Sequence, residues 1–319
     1  MNSCPPAISS PALSALLTFL RDAKYHFVTP TPATHARVNG RAENEQSKSL
    51  RDIFGWSRPF ARQLLPDHLF RTLAEGGLLI EGHSGWQSLI RASSLDDNLF
   101  LHSAFPTNSS NAVFFGPDTY RFVHAIKTKL YEPRRLSRAL DLGCGSGAGG
   151  VVLAKNSICG ELVLSDINHW ALQLAGINAA AAGVANSTVF SDLFESLDGE
   201  FDFIVANPPY LNDPLERTYR HGGGQLGSEL SLRIATGATS KLAPGGSLLL
   251  YTGSPIVDGI DHFKTAVRSI FADSNFILSY QEMDPDVFGE ELEEGPYSRV
   301  ERIAAVVLTV QRPEVVVQC

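Results

Sequence analysis

The sequence has few cysteines, few methionines and no long apolar runs, and it carries no excess of positive charge. Its four cysteines, Cys4, Cys144, Cys159 and Cys319, stand without paired spacing. That scatter argues against a disulfide framework and a cysteine zinc site, and it fits a reducing cytoplasm. The early apolar stretch LSALLTFL (13–20) has no basic residue before it and meets Arg21 and Asp22 directly. It is too short for a bilayer and lacks the flanks of a signal peptide, so it reads as an amphipathic helix, and no membrane partner is expected. With 26 Lys and Arg against 34 Asp and Glu, the formal net charge is -8. Phosphate backbones would find no global attraction, only whatever local basic patch the fold assembles.

What is present is material for a core. The chain has 319 residues, 44% of them hydrophobic and 19% charged, which predicts a soluble globular protein with one principal domain and a smaller one. Residues 11–27 read as a helix. The polar stretch VTPTPATHARVNGRAENEQSKS that follows has prolines and no apolar period, and reads as a loop. PDHLFRTLAEGG is helical, with Pro66 at its start, and LLIEG and QSLIRAS are expected to pair as a hairpin. Helices followed by a hairpin suggest a winged-helix-like α+β module over 1–110. Its ten Lys or Arg against nine Asp or Glu suit a cap or substrate-docking role better than DNA binding.

From residue 138 strands and helices alternate. RALDL runs into GCGSGAGG, then ELVLSD, a helix, STVF and FDFIVA; after NPPY come a helix, GSLLLYTG, a helix, NFILSYQEM and ERIAAVVLTVQ. This is a doubly wound α/β domain over 111–319, a seven-stranded, mostly parallel, Rossmann-like sheet. Its last two strands, joined without a helix, are expected to make one reversed edge strand.

Ligands in such sheets bind beyond the carboxyl ends of the strands. Gly143, Gly145 and Gly147 permit a tight turn and close backbone approach. Asp166, nineteen residues after Gly147, closes the second strand, where a carboxylate can accept from two ribose hydroxyls. A nucleoside is implied, and NAD fits as well, because Gly145, Gly147 and Gly150 satisfy the dinucleotide spacing. NPPY (207–210) separates the two. The Asn207 side-chain oxygen and the Pro208 carbonyl can both accept from one NH2 group, and Tyr210 offers a ring face to a planar target. Cys144 reads as apolar filling, and Trp56 and Trp86 as packing. His221 reads as an ordinary loop histidine, and the acidic stretch DPDVFGEELEEG, with Asp284, Asp286, Glu290, Glu291, Glu293 and Glu294, as a solvated face.

DLGCGSG, SD at 165–166, SDLF at 191–194 and NPPY, in that order and spacing, resemble the HemK-like, release-factor glutamine methyltransferase group of class I S-adenosylmethionine-dependent enzymes, in a two-domain bacterial branch. The resemblance covers about residues 112–312. It implies that Asp141 begins the cofactor loop, that Asp166 holds the ribose and that Asp192 lies by the adenine amino group. FFGPDTYRF (114–122) stands where the family has an Arg-Pro-Glu-Thr-Glu-like segment, with Pro117, Asp118 and Thr119 matching and Gly116 replacing the arginine. HGGGQLGSEL lacks the family's Asp-Gly-Leu. The activity implied is S-adenosylmethionine-dependent N-methylation of a planar amide or amino nitrogen, needing no metal, in a cytoplasmic monomer. A protein glutamine is the leading acceptor. The alternatives are adenine N6 in RNA or DNA, a natural-product amine, or an NAD-dependent oxidoreductase using the same glycine turn.

Overall fold

The computed structural model describes residues 9–107, 109–132, 134–213, 217, 219–293 and 295–314. Cys4, Cys319 and Glu294, singled out above, lie outside the described residues. The first helix, α1 (Ser10–Asp22), buries Leu13, Leu16, Leu17 and Leu20, the i, i+3, i+4, i+7 stripe of an amphipathic helix. It ends before residue 27 because Lys24 takes a left-handed conformation, φ 52°. Tyr25 and Phe27 are then buried from irregular backbone.

The stretch expected to be a loop contains a helix, α2 (Pro32–Asn39). Thr31 caps it, accepting from the Thr34 amide at 3.2 Å, and Pro32 suits the first helical position. Its one buried residue is His35, so no apolar period announces it. After α3 (Leu50–Phe54) and α4 (Asp67–Glu75) come two hairpins. LLIEG pairs only with the start of the second expected strand, β1 (Leu79–Gly82) with β2 (Gly85–Ser88). The rest of that segment forms β3 (Ile90–Leu95), which pairs with β4 (Asn98–Ser103). Leu13, Phe54, Phe60 and Leu73 of this region share a core with Ala171 and Leu174. The N-terminal elements are therefore packed onto the α/β domain through the helix that carries these two residues, α7 (His169–Ala181).

That domain begins with α5 (Pro117–Lys129) and alternates β5 (Arg135–Leu142), α6 (Ala148–Lys155), β6 (Ile158–Asp166), α7 (His169–Ala181), β7 (Ser187–Phe190) and β8 (Phe201–Ala206). It continues with α8 (Glu229–Ala238), β9 (Leu242–Val257), the short β10 (Ile260–Asp261), α9 (His262–Ile270), β11 (Ile277–Asp284) and β12 (Arg302–Gln311). The sheet order is β11-β12-β9-β8-β5-β6-β7, with β10 beside β9. The pairings among β5 to β9 are parallel, whereas β12 is antiparallel to both β9 and β11. The reversed strand is thus inside the sheet and β11 is its edge, a correction to the expected reversed edge. β12 is buried along most of its length and β11 only partly, so the more apolar strand takes the inner place.

Alternate residues of β8 serve opposite cores. Phe203 and Val205 face the side holding Phe122, Ile126 and Val151, while Ile204 and Ala206 face Ile234, Ala235 and Phe263. This is a Rossmann-like, class I methyltransferase fold with an extra N-terminal module. Among the described residues, no helix is long and apolar enough to cross a membrane.

Candidate active site

The last residues of β5 and β8 are paired, Leu142 with Ala206, and Leu142 also faces Ser165 of β6. Three chains therefore leave the sheet together, through Gly143, Asn207 and Asp166. Strand order reverses between β5 and β8, and the loops diverge there to leave a crevice. It opens into a cavity of about 220 Å³.

The glycine turn is built for close approach. Gly143 and Gly145 have φ of 68° and 52°, and a Cβ on either would meet nothing within 4 Å. Both line the cavity, so their open flanks face a ligand. Gly147 differs from the expectation. It does not line the cavity; with φ of 78° it precedes α6, and a Cβ there would stand 3.1 Å from the Ala175 Cα. Its role is close packing of α6 on α7. Cys144 beside it is buried, and burial pushes its thiol well above the ordinary range, which suits filling rather than nucleophilic chemistry.

Asp166 holds the turn from the neighbouring strand. Its two oxygens accept from the amides of Gly145 at 3.0 Å and Asn168 at 2.9 Å. Each keeps a lone pair for a further donor. Burial raises the Asp166 pKa, and those amides oppose the rise. Asp141 is 1% exposed, and its carboxylate accepts from the Gly150 amide at 2.6 Å, pinning the first turn of α6. Burial raises it to about 7. Asp192 is half exposed at the cavity edge, 3.9 Å from Arg233.

Asp118 and Thr119, from the first turn of α5, complete one wall. Thr119 Oγ1 accepts from the Gly116 amide at 3.3 Å, closing the helix start. At Gly116, where the resemblance has an arginine, a Cβ would lie 2.5 Å from the Phe114 ring. The Asp118 carboxylate is buried and accepts from the hydroxyls of Tyr210 and Tyr251, the latter at 2.8 Å, and from Arg121 at 3.1 Å. Tyr210 is thereby fixed at its hydroxyl, and its ring lies against Gly253, where a Cβ would come within 2.4 Å.

Asn207 and Pro208 both line the cavity. Asn207 is partly exposed, and its side-chain amide has no hydrogen-bond partner among the described residues. It stands ready for an external donor or acceptor. His221 is used elsewhere: its Nδ1 accepts from the Asp213 amide at 3.2 Å. The acidic stretch is more than a solvated face. Asp284 pairs with Arg121 at 2.9 Å and Glu291 with Arg220, while Phe288 packs edge-on against Tyr210. Among the described residues no group of acids, histidines or cysteines is arranged for a metal.

Among the lining residues not singled out from sequence are Phe114, Ile167, Tyr219 and Phe288. Ile167 carried a readable signal, an apolar residue directly after Asp166 that stays 46% exposed. Phe114 and Tyr219 carried none, since only the fold brings their rings together, 6.3 Å apart and 5° from parallel.

The residues fit a nucleoside with a charged tail. The open-flanked glycine turn admits it, Asp166 retains acceptors for a ribose, and Asp118 and Thr119 stand at the same cavity. A family model described as "Methyltransferase small domain" matches residues 122–257. A ribosomal RNA small subunit methyltransferase C of Pectobacterium atrosepticum is 33% identical over 118 residues, covering 37% of this chain and 31% of that protein. A release factor glutamine methyltransferase of Deinococcus radiodurans is 33% identical over 156 residues, covering 45% of this chain and 55% of that protein. The similarity thus spans well under two thirds of either relative. The crystal structure of Methanocaldococcus jannaschii Trm5 in complex with adenosine superposes with a TM-score of 0.50 at 14% identity, over 71% of this chain and 57% of that one, a likeness of fold. Residues 122–257 thus resemble a methyltransferase small domain, and the cavity they help to line fits S-adenosylmethionine.

Proposed function

We propose that the whole protein is an S-adenosylmethionine-dependent N-methyltransferase whose acceptor is an exocyclic amino group of a nucleobase in RNA. The observation that carries this reading is the unpartnered Asn207 amide, beside Pro208, in the same cavity as Gly143, Gly145 and Asp166. When bound, S-adenosylmethionine supplies a methyl group already activated by its sulfonium. The residues then need only to bind and align. Asp166 takes the ribose hydroxyls, and the Asn207 oxygen and Pro208 carbonyl accept from the target NH2, turning its lone pair toward the methyl carbon. Holding the reacting atoms near contact supplies much of the acceleration. The proton released from the product nitrogen passes to solvent.

Support for a base as acceptor comes from the near-parallel Phe114 and Tyr219 rings lining the cavity, since a flat base gains from aromatic faces and a glutamine side chain offers none. The ribosomal RNA relatives point the same way. This moves the preferred acceptor away from the protein glutamine expected on sequence. A protein glutamine is the second reading, supported by the Deinococcus relative and the longer stretch it matches. In either case we assign the N-terminal module, 1–110 by the sequence boundary, to acceptor docking, and the site of action to the cytoplasm. The test is methyl-labelled S-adenosylmethionine incubated with the protein and cell extract, followed by nuclease or protease. Label lost to ribonuclease is expected; label lost only to protease would install the glutamine reading instead.

A further inference from the structure

A buried cation without a carboxylate lies in the N-terminal region. Arg91 of β3 is 4% exposed and has no acidic partner among the described residues. Its Nε donates to the Gly55 carbonyl at 2.9 Å and its Nη2 to Thr29 Oγ1 at 3.3 Å. The neighbouring groups have settled roles. The Ser103 carbonyl can only accept, so His102 Nδ1 donates to it at 3.2 Å and His102 Nε2 accepts from Ser93 at 2.7 Å. The Thr29 hydroxyl then donates to Ser93. This chain offers the guanidinium hydroxyl oxygens but no negative charge, and the Phe27 ring lies 5.8 Å from its central carbon.

A second unpaired donor stands nearby. His35 of α2 is 1% exposed, and burial, with Arg91 close by, holds it neutral by lowering its pKa to about 4. Its Nδ1 faces the Asn39 amide nitrogen at 3.4 Å, a group that can only donate, so the ring hydrogen sits on Nε2. That Nε2 is buried and has no hydrogen-bond partner. Arg91 and His35 line one small cavity of about 20 Å³. Such a volume holds a single water-sized species. The other polar side chains of the wall are engaged, Thr29 with Ser93, His102 with Ser93 and the Ser103 carbonyl, and Thr107 with the Tyr219 hydroxyl. Most of the remainder is proline and phenylalanine. A buried positive charge with no carboxylate beside it is costly unless an anion completes it.

We propose that this cavity binds one monoatomic anion of the chloride class, held by the Arg91 guanidinium and His35 Nε2–H. A tetrahedral oxyanion is too large. The anion ties α2 to β3, and because Phe114 lines both this cavity and the larger one, it also steadies a wall of the methyl-transfer site.

The test uses the full chain. Crystals soaked in sodium bromide, with data collected at the bromine absorption edge, should show an anomalous peak between Arg91 and His35. In solution, chloride replacing gluconate at constant ionic strength should raise Tm by about 2 °C or more. Arg91→Met should abolish that shift, and the bromide experiment on the natural chain covers the case in which this variant fails to fold. Density at the site without anomalous signal, a Tm equal in the two salts, or a full chloride shift in folded Arg91→Met would each overturn the proposal.

Discussion

The hydroxyl of Tyr210, just past the end of β8, donates to the carboxylate of Asp118 on α5, 92 residues earlier in the chain. Tyr251 on β9 and Arg121 donate to the other oxygen. Burial pushes the Asp118 pKa up, and these donors work against the rise. The bond thus joins the loop that carries Asn207 to the helix that walls the cofactor side.

Tyr210→Phe keeps the ring against Gly253 but leaves one oxygen of a buried carboxylate without its donor. The expected loss of stability is about 1–3 kcal/mol. Urea denaturation of the variant beside the natural protein measures it, and an unchanged midpoint would show that Asp118 does not depend on this hydroxyl.

Much of the catalytic half was legible because its strands are apolar runs that stop at residues with few other uses. RALDL ends in the glycine turn, ELVLSD in Asp166 and FDFIVA in NPPY, and all three endings meet at one cavity. Other features depended on contacts the sequence does not display. α2 is anchored by a single buried histidine, so its pattern reads as loop. The acidic stretch looked solvated because Arg121 and Arg220, which pair with Asp284 and Glu291, lie far away in sequence. Gly147 looked like its neighbours, and only the approach of Ala175 reveals its packing role. The place of β12 between β9 and β11 is likewise a tertiary choice: a terminal hairpin can be read locally, but not which of its strands joins the sheet.

Asp141 should mark the pH dependence of stability. Its native pKa is raised to about 7 by burial, so between about pH 4 and 7 the native state holds a proton that the unfolded chain releases. Stability attributable to this group therefore falls as pH rises through that window and levels off above it. Asp118 and Asp166 are shifted in the same direction, so the comparison must be with the natural protein. Asp141→Asn, which keeps an acceptor for the Gly150 amide, should flatten the decline across pH 4–7. Denaturation midpoints across that range test it, and parallel curves for the two proteins would contradict it.

Asp166→Ala should weaken binding of S-adenosylhomocysteine at least about tenfold, because two charge-assisted ribose bonds are lost. The Gly145 and Asn168 amides lose their acceptor as well, so a circular dichroism spectrum must first show a folded variant. Calorimetry giving equal affinity in a folded Asp166→Ala would remove Asp166 from the cofactor site.

The central claim is that Asn207 orients an acceptor nitrogen, with contacts that matter more in the transition state than in cofactor binding. The most direct measurement is single-turnover methyl transfer by Asn207→Ala to the acceptor identified by labelling, with S-adenosylhomocysteine affinity determined on the same sample. Asn207 is partly exposed and its amide bonds to no described residue, so the variant should fold and bind the cofactor product as the natural protein does. Its rate should fall roughly 100-fold or more, the scale of losing one preorganised group at a reacting centre. A near-natural rate with affinity intact would mean that NPPY only ends a strand here, and the N-methyltransferase account would fail.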